Sequence, residues 1–199
     1  MPKFKEFNIA DWFSFYRIAA VPFLLILIGW NEREIFTWFL LISYSTDAID
    51  GYLARKLKIT SARGSQLDSY GDQMTLIVGL IGLIKFEPAF MQENYPLILI
   101  AFVPYILQMI LAFKKYGKAT AFHTYLAKLS AVVQGVFILW LLFFGPVYWL
   151  FYTMIVIGVL ETMEEITLIY LYEKWVAGVK GIYWALKDKR RLNVEQNSS

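Results

Sequence analysis

Charged and polar residues fill the stretch from Asp47 to Asp72, although apolar segments lie on both sides of it. The stretch contains two pairs of aspartates at one-turn helical spacing, Asp47 with Asp50 and Asp68 with Asp72. Residues three or four apart in a helix share a face, so each pair points in one direction. Unpartnered carboxylates are costly in or near lipid and usually mark a functional site. The partner that suits four converging carboxylates is one divalent cation, or two.

The composition independently favours a membrane protein. The chain of 199 residues is 58% hydrophobic and 18% aromatic, which exceeds the apolar share of an ordinary soluble domain. Its length fits one domain, which we expect to cover residues 1–199. The absence of cysteine excludes both a disulfide framework and a thiolate metal site.

Six segments are long and apolar enough to span a membrane, which takes about 20 residues. They are residues 12–30, 35–54, 65–85, 96–113, 124–144 and 148–172. Charged residues, glycine or proline separate them, as in the predicted break from Glu87 to Pro96. The first segment is long and aromatic, contains Arg17 and lacks a small-residue cleavage site, so we do not interpret it as a signal peptide. The sequence predicts an all-α integral membrane protein with six transmembrane helices.

The basic residues predict the orientation of these helices. Fifteen Lys and Arg residues fall in the termini and alternate loops of one side, whereas the other side has only Arg33 and Lys85. Basic loops stay in the cytoplasm, so both termini are expected there. The ends, Lys3–Trp12 and Trp175–Leu192, mix apolar and basic residues and predict interfacial amphipathic helices. For the second end, a basic topogenic tail with aromatic belt residues is the alternative.

In this topology, the polar groups of the spans lie in their cytoplasmic halves. This arrangement predicts a multi-pass protein with one polar cavity facing the cytoplasm, in the inner membrane if the cell is bacterial. The groups concerned are Arg17, Asp47, Asp50, Asp68, Asp72, His123, Lys128, Glu161, Glu164 and Glu165.

The aspartates are ligands for a hard cation. With no cysteine and a single histidine, a zinc site is nearly excluded, and oxygen ligands favour Mg²⁺ or Mn²⁺. Two such ions can clamp a pyrophosphate during an in-line displacement. The alternative is a purely structural role, in which the acids form interhelical pairs with Arg17, Arg55 or Lys128.

The acids belong to a longer pattern, Asp47-x2-Asp50-Gly51-x2-Ala54-Arg55-x8-Gly64-x3-Asp68-x3-Asp72. All eight fixed positions resemble the signature of the CDP-alcohol phosphotransferases, integral membrane enzymes that make phospholipid head groups. Arg17 and Pro22 also look like the first-helix arginine and proline common in that family. The resemblance implies a homodimer.

The resemblance also implies roles for the motif residues. It makes Asp72 the general base that takes the proton of the acceptor hydroxyl. It implies a di-metal centre held by Asp47, Asp50, Asp68 and Asp72. It implies that the CDP moiety binds or closely approaches Gly51, Ala54, Arg55 and Gly64.

The expected reaction moves a substituted phosphoryl group, such as phosphatidyl from CDP-diacylglycerol, onto a small alcohol and releases CMP. Lys118, His123 and Lys128 could bind the phosphate of an acceptor such as glycerol 3-phosphate or an inositol phosphate; otherwise they are interfacial residues. Transfer from a soluble CDP-alcohol to a lipid such as diacylglycerol is the alternative within the family. A small cation transporter or channel is the alternative outside it, but no internal repeat supports one. Substrates and membrane lipid are the expected partners, and nucleic acid is not.

Overall fold

The computed structural model describes residues 9–57 and 62–188, and it describes only the backbone of 9–11, 13, 14, 47, 48, 50–57 and 62–69. Six long helices run through these ranges: α1 Ile9–Gly29, α2 Arg33–Leu57, α3 Ala62–Phe86, α4 Pro88–Tyr116, α5 Tyr125–Phe144 and α6 Tyr148–Leu171. They correspond one to one with the six predicted segments. In the same ranges, extended pairing is limited to one isolated bridge between Ala121 and Ala177. The all-α prediction is confirmed.

The predicted break from Glu87 to Pro96 is wrong. Helix α4 begins at Pro88 and continues through Pro96 and Pro104 to Tyr116. Proline is well tolerated in the first turn of a helix, where its missing N–H would have no intrahelical partner. Inside membrane helices, neighbouring groups can satisfy the carbonyl that an internal proline leaves unpaired. Pro88 therefore begins α4 and does not belong to a break between helices.

The chain divides into two compact units, and two of the boundaries between them fall within α4 and α5. The first comprises Met1–Glu93 and Ile138–Val147, and the second comprises Asn94–Phe137 and Tyr148–Ser199. Each is described below by itself.

Close packing of α1, α2 and α3 builds the first unit, in which α1 contacts both other helices. Leu24, Phe36, Leu40, Val78 and Leu83 are buried there. Glycine lets α2 and α3 approach each other, because a Cβ atom on Gly82 would overlap the ring of Phe36. The two helices that carry the aspartate motif are thus held at close range.

Arg33 joins three helix ends of the first unit. Its Nη2 donates to the carbonyl oxygen of Leu142 at 2.7 Å and lies 2.5 Å from Oε1 of Glu87. Its Nε donates to the same Leu142 oxygen at 3.0 Å. The last carbonyls of a helix lack intrahelical partners, so the guanidinium caps the end of α5. The sequence pattern predicts on which side of the membrane Arg33 lies, but not these contacts.

The second unit has a core formed by helix ends and the segment that follows α6. Its buried apolar residues are Ala112, Phe122, Leu168, Ile169, Val179 and Ala185. Lys115 Nζ donates to the carbonyl oxygen of Ile169 at 2.7 Å, and Tyr116 Oη donates to that of Tyr172 at 2.7 Å. The end of α4 therefore caps the end of α6.

Two helices of the described part of the chain, α4 and α5, are long and apolar enough by length and composition to cross a membrane. Helix α4 exposes large apolar side chains along its length, among them Leu99, Ile100, Val103, Leu107 and Ile110. Charged residues interrupt the apolar stretches of α2, α3 and α6. The six spans and the cytoplasmic termini stay predictions.

Candidate functional site

The motif aspartates lie where two helices of the first unit meet in sequence. Asp47 and Asp50 lie near the C-terminal end of α2, and Asp68 and Asp72 lie near the N-terminal end of α3. The predicted helical spacing of both pairs is therefore confirmed by the backbone. The side chains of Asp47, Asp50 and Asp68 lie outside the described ones.

The residues predicted to bind or approach the CDP moiety lie on the same two helices. Gly51, Ala54 and Arg55 belong to α2, and Gly64 belongs to the first turn of α3. All four lie where only the backbone is described, so their contact with a nucleotide stays a prediction.

Asp72 forms an ion pair with Arg17 of α1, through Oδ1 and Nη1. The side chain of Arg17 is 1% exposed and that of Asp72 is 44% exposed. Burying a guanidinium is costly unless a carboxylate or other acceptor compensates its charge. The interhelical pairing considered for the motif acids is thus found for Asp72. Because the Asp72 carboxylate is partly exposed, one face of it can still meet a substrate or a cation.

Gly71 of α3 lies beside the guanidinium of Arg17. A Cβ atom at Gly71 would lie 3.4 Å from Cζ and 3.4 Å from Nε of Arg17. The guanidinium therefore lies directly against the α3 backbone beside Asp72. The Cβ atom of an alanine at position 71 would meet the guanidinium at van der Waals distance.

The donor chemistry of the motif fits a hard divalent cation. Four carboxylates in two one-turn pairs supply anionic oxygens, which Mg²⁺ and Mn²⁺ prefer. Among the described side chains, no three or more His, Cys, Asp or Glu residues form a group that could hold a metal ion. Three of the four motif acids are not among those side chains.

The residues predicted to bind an acceptor phosphate belong to the second unit. Lys118 and His123 lie in the α4–α5 loop, residues 117–124, and Lys128 lies in the first turn of α5. Nζ of Lys118 is 3.7 Å from the ring centroid of Trp175, and Nζ of Lys128 is 5.6 Å from that of Tyr125. His123 has a φ of 54°, a left-handed conformation that is uncommon outside glycine. Binding of phosphate by these three residues stays a prediction.

Two glutamates of α6 accept hydrogen bonds within the second unit. Oε2 of buried Glu165 accepts hydrogen bonds from Gln108 Nε2 and Thr120 Oγ1, both at 2.6 Å. Oε1 of Glu164 accepts one from the Ile182 backbone N–H at 3.2 Å. In the described part of the chain, no ion pair joins Lys128 to a glutamate. Glu164 and Glu165 thus accept hydrogen bonds from neutral donors of the same unit.

The segment that follows α6 folds back onto the α4–α5 loop. Trp175 Nε1 donates to the carbonyl oxygen of Ala119 at 3.0 Å, and the Gly178 N–H donates to that of Ala121 at 3.1 Å. The sequence suggested only an interfacial amphipathic helix or a basic tail here. Tyr183 and Trp184 remain exposed, so contact of this segment with a membrane interface stays a prediction.

The chain is similar over part of its length to several curated proteins that share one name. It is 31% identical over 86 residues to the CDP-diacylglycerol--glycerol-3-phosphate 3-phosphatidyltransferase of Wigglesworthia glossinidia brevipalpis, covering 42% of this chain and 47% of that protein. It is 31% identical over 88 residues to the protein of the same name from Haemophilus influenzae, covering 43% and 48%. For that of Rickettsia bellii, the identity is 26% over 130 residues, covering 64% and 70%.

The chain spans about half the length of the first two of these curated relatives. The match to the family itself is more extensive. The family model described as CDP-alcohol phosphatidyltransferase matches residues 7–163, which include α1, the whole aspartate motif and most of α6. The chain therefore belongs to the CDP-alcohol phosphatidyltransferase family.

Proposed function

We propose that this protein transfers the phosphatidyl group of CDP-diacylglycerol to glycerol 3-phosphate and releases CMP. The observation that carries the proposal is the complete eight-residue motif on α2 and α3 of a chain that belongs to this family. The names of the curated relatives support the choice of donor and acceptor. A channel or transporter would not require the glycine, alanine and arginine positions of the motif.

In the proposed reaction, a hydroxyl oxygen of glycerol 3-phosphate attacks the phosphorus atom that bears the diacylglycerol. A new P–O bond forms there while the P–O bond to CMP breaks, and CMP leaves with that bonding pair. Asp72 takes the proton of the attacking hydroxyl, as a general base within hydrogen-bond reach would. Arg17 holds the Asp72 carboxylate from its buried side and leaves the exposed side for the hydroxyl.

Asp47, Asp50, Asp68 and Asp72 would hold the divalent ions, two of Mg²⁺ or Mn²⁺. When bound, such ions neutralise charge on the pyrophosphate oxygens and stabilise the leaving group. Asp72 would serve both as a metal ligand and as the general base. Arg17 must therefore orient the carboxylate of Asp72 without cancelling its negative charge completely.

The protein is proposed to work in a membrane, with six spans, cytoplasmic termini and a cytoplasmic active site. The basic residues of alternate loops and the exposed apolar surface of α4 support this topology. Such a site would let water-soluble glycerol 3-phosphate enter while the donor's acyl chains stay in the leaflet. A homodimer is proposed from the family resemblance alone.

The test is release of CMP by the purified protein in detergent, with CDP-diacylglycerol and Mg²⁺ or Mn²⁺. The acceptor panel pairs phosphorylated and unphosphorylated alcohols: glycerol 3-phosphate, glycerol, inositol phosphate, inositol and serine. We expect CMP and a phosphorylated lipid product with glycerol 3-phosphate. Asp68→Asn is the control for background hydrolysis. Absence of CMP with every acceptor would show the proposed function to be wrong, and turnover only with an unphosphorylated alcohol would show the acceptor to be wrong.

A further inference from the structure

Residues 172–185 form a segment that we call the C-terminal strap. It follows α6 and lies beyond the family match, which ends at residue 163. It belongs to the same compact unit as the α4–α5 loop, residues 117–124. The family match therefore leaves unexplained what this segment does for the protein.

Backbone hydrogen bonds join the strap to the chain on both sides of His123, whose backbone conformation is left-handed. On one side, the Gly178 N–H donates to the Ala121 carbonyl oxygen at 3.1 Å. On the other side, the Tyr125 N–H donates to the Lys180 carbonyl oxygen at 3.2 Å. A non-glycine residue with a positive φ persists only when its surroundings determine it, and these bonds fix the chain on either side of His123.

The strap is also packed, since an apolar residue recurs at every third position. Val179 and Ala185 belong to the core cluster of this unit together with the buried loop residue Phe122, and Val176 and Ile182 pack against that cluster. Phe122 precedes His123 directly, so the strap covers the side chain that anchors this part of the loop. The strap and this part of the loop therefore share one buried cluster.

Trp175 of the strap contacts the ammonium group of Lys118 in the loop. The ring centroid of Trp175 is 3.7 Å from Lys118 Nζ, within the range of a cation–π interaction. The indole Nε1 donates at the same time to the Ala119 carbonyl oxygen. Trp175 therefore contacts both the backbone at Ala119 and the charged side chain of Lys118, near the start of the loop.

We propose that the C-terminal strap is a positioning element for the acceptor site, and that Trp175 sets the affinity for a phosphorylated acceptor by orienting Lys118 and His123. The inference rests on the proposed function and adds a residue outside the family match to it. Trp175 is a positioning residue, because it acts through the loop. The strap orders the loop before substrate binds, so the bound acceptor does not have to order it.

The test compares Trp175→Ala, Trp175→Phe and a matched tryptophan control, Trp149→Ala, in the full chain. Trp149 is 71% exposed at the start of α6. Initial rates of CMP release give separate KM values for glycerol 3-phosphate and CDP-diacylglycerol. Hydrogen–deuterium exchange of residues 117–125 and 176–182 reports on the contact between strap and loop.

We expect Trp175→Ala to raise the KM for glycerol 3-phosphate about tenfold, a change typical of losing interactions with a charged group, while the KM for CDP-diacylglycerol stays unchanged. The amides of Tyr125 and Gly178 should exchange faster. Trp175→Phe keeps an aromatic face under Lys118 but loses the indole N–H, so it should show a smaller rise in acceptor KM. Trp149→Ala should match the wild type in both KM values.

Equal rises in both KM values, or a lower kcat alone, would overturn the positioning role. So would faster exchange with an unchanged acceptor KM. If Trp175→Ala does not yield monodisperse protein, Trp175→Phe decides by the same split between the two KM values. A wild-type protein that releases no CMP refutes the proposed function, and the inference falls with it; an active wild type with insensitive Trp175 variants refutes the inference alone.

Discussion

The buried guanidinium of Arg17 on α1 pairs with the partly exposed carboxylate of Asp72 on α3, fifty-five residues away in sequence. One motif acid is thereby attached to a third helix. The same guanidinium lies against the α3 backbone at Gly71, the residue before Asp72.

Replacing Arg17 with alanine is expected to lower kcat about a hundredfold, because small misplacements of a catalytic group have effects of this size. Arg17→Lys keeps the charge but not the planar fork, so it should recover only part of the rate. Rates of CMP release at saturating substrates provide the measurement. Wild-type kcat in Arg17→Ala would show that Asp72 needs no such orientation.

Replacing Asp68 with asparagine keeps the size of the side chain and removes its charge, which a hard cation requires. We expect loss of activity and of Mn²⁺ binding, with the elution volume and helical circular dichroism of the wild type. Asp72→Asn should lower turnover by about a hundredfold or more, as expected for a lost general base, while CDP-donor binding is better preserved. An active Asp68→Asn protein would contradict the two-metal scheme.

Lys128→Gln is expected to raise the KM for glycerol 3-phosphate about tenfold and to leave donor binding nearly unchanged, because it removes one charge from the predicted phosphate site. The matched control is Lys114→Gln, at an exposed position near the end of α4. Steady-state rates with each substrate varied in turn give the two KM values. Equal weakening of both substrates would assign Lys128 a structural role.

Gly82→Ala is expected to destabilise the protein by about 1–3 kcal/mol, the usual cost of overpacking. The added methyl group would overlap Phe36, which is fully buried and cannot swing into solvent. Gly29→Ala is the control, since a Cβ atom there meets nothing within 4 Å. Thermal unfolding in detergent compares the two. A melting temperature of Gly82→Ala equal to that of Gly29→Ala would show that α2 and α3 are not in such close contact.

Arg33→Ala is expected to lower stability by about 2 kcal/mol, because hydrogen bonds from a charged group to buried carbonyl oxygens are lost. Arg33→Lys should restore part of this, since an ammonium group can still reach Glu87 but cannot copy the fork to Leu142. Exposed Glu34→Ala controls for removal of a charge at the start of α2. Thermal unfolding again gives the comparison, and CMP release should change little at a saturating substrate concentration.

The sequence alone determined the helical class, the number of long helices and the positions of the motif. Length and apolar composition suffice for the helices, and the intervals between Asp47, Asp50, Asp68 and Asp72 suffice for their helical faces. Its main error about the described helices was at Pro88, because a proline that starts a helix and one that ends it look alike without the backbone.

Only the tertiary structure decided which partners the polar residues have. Gln108 and Glu165 are 57 residues apart, and Trp175 and Ala119 are 56 apart. The donors of these two bonds are a neutral amide and a neutral indole, which leave no periodicity and no charge pattern in the sequence. Which of the available basic residues pairs with Asp72 is likewise a matter of helix packing. Arg17 takes that place because its helix, α1, packs against α3.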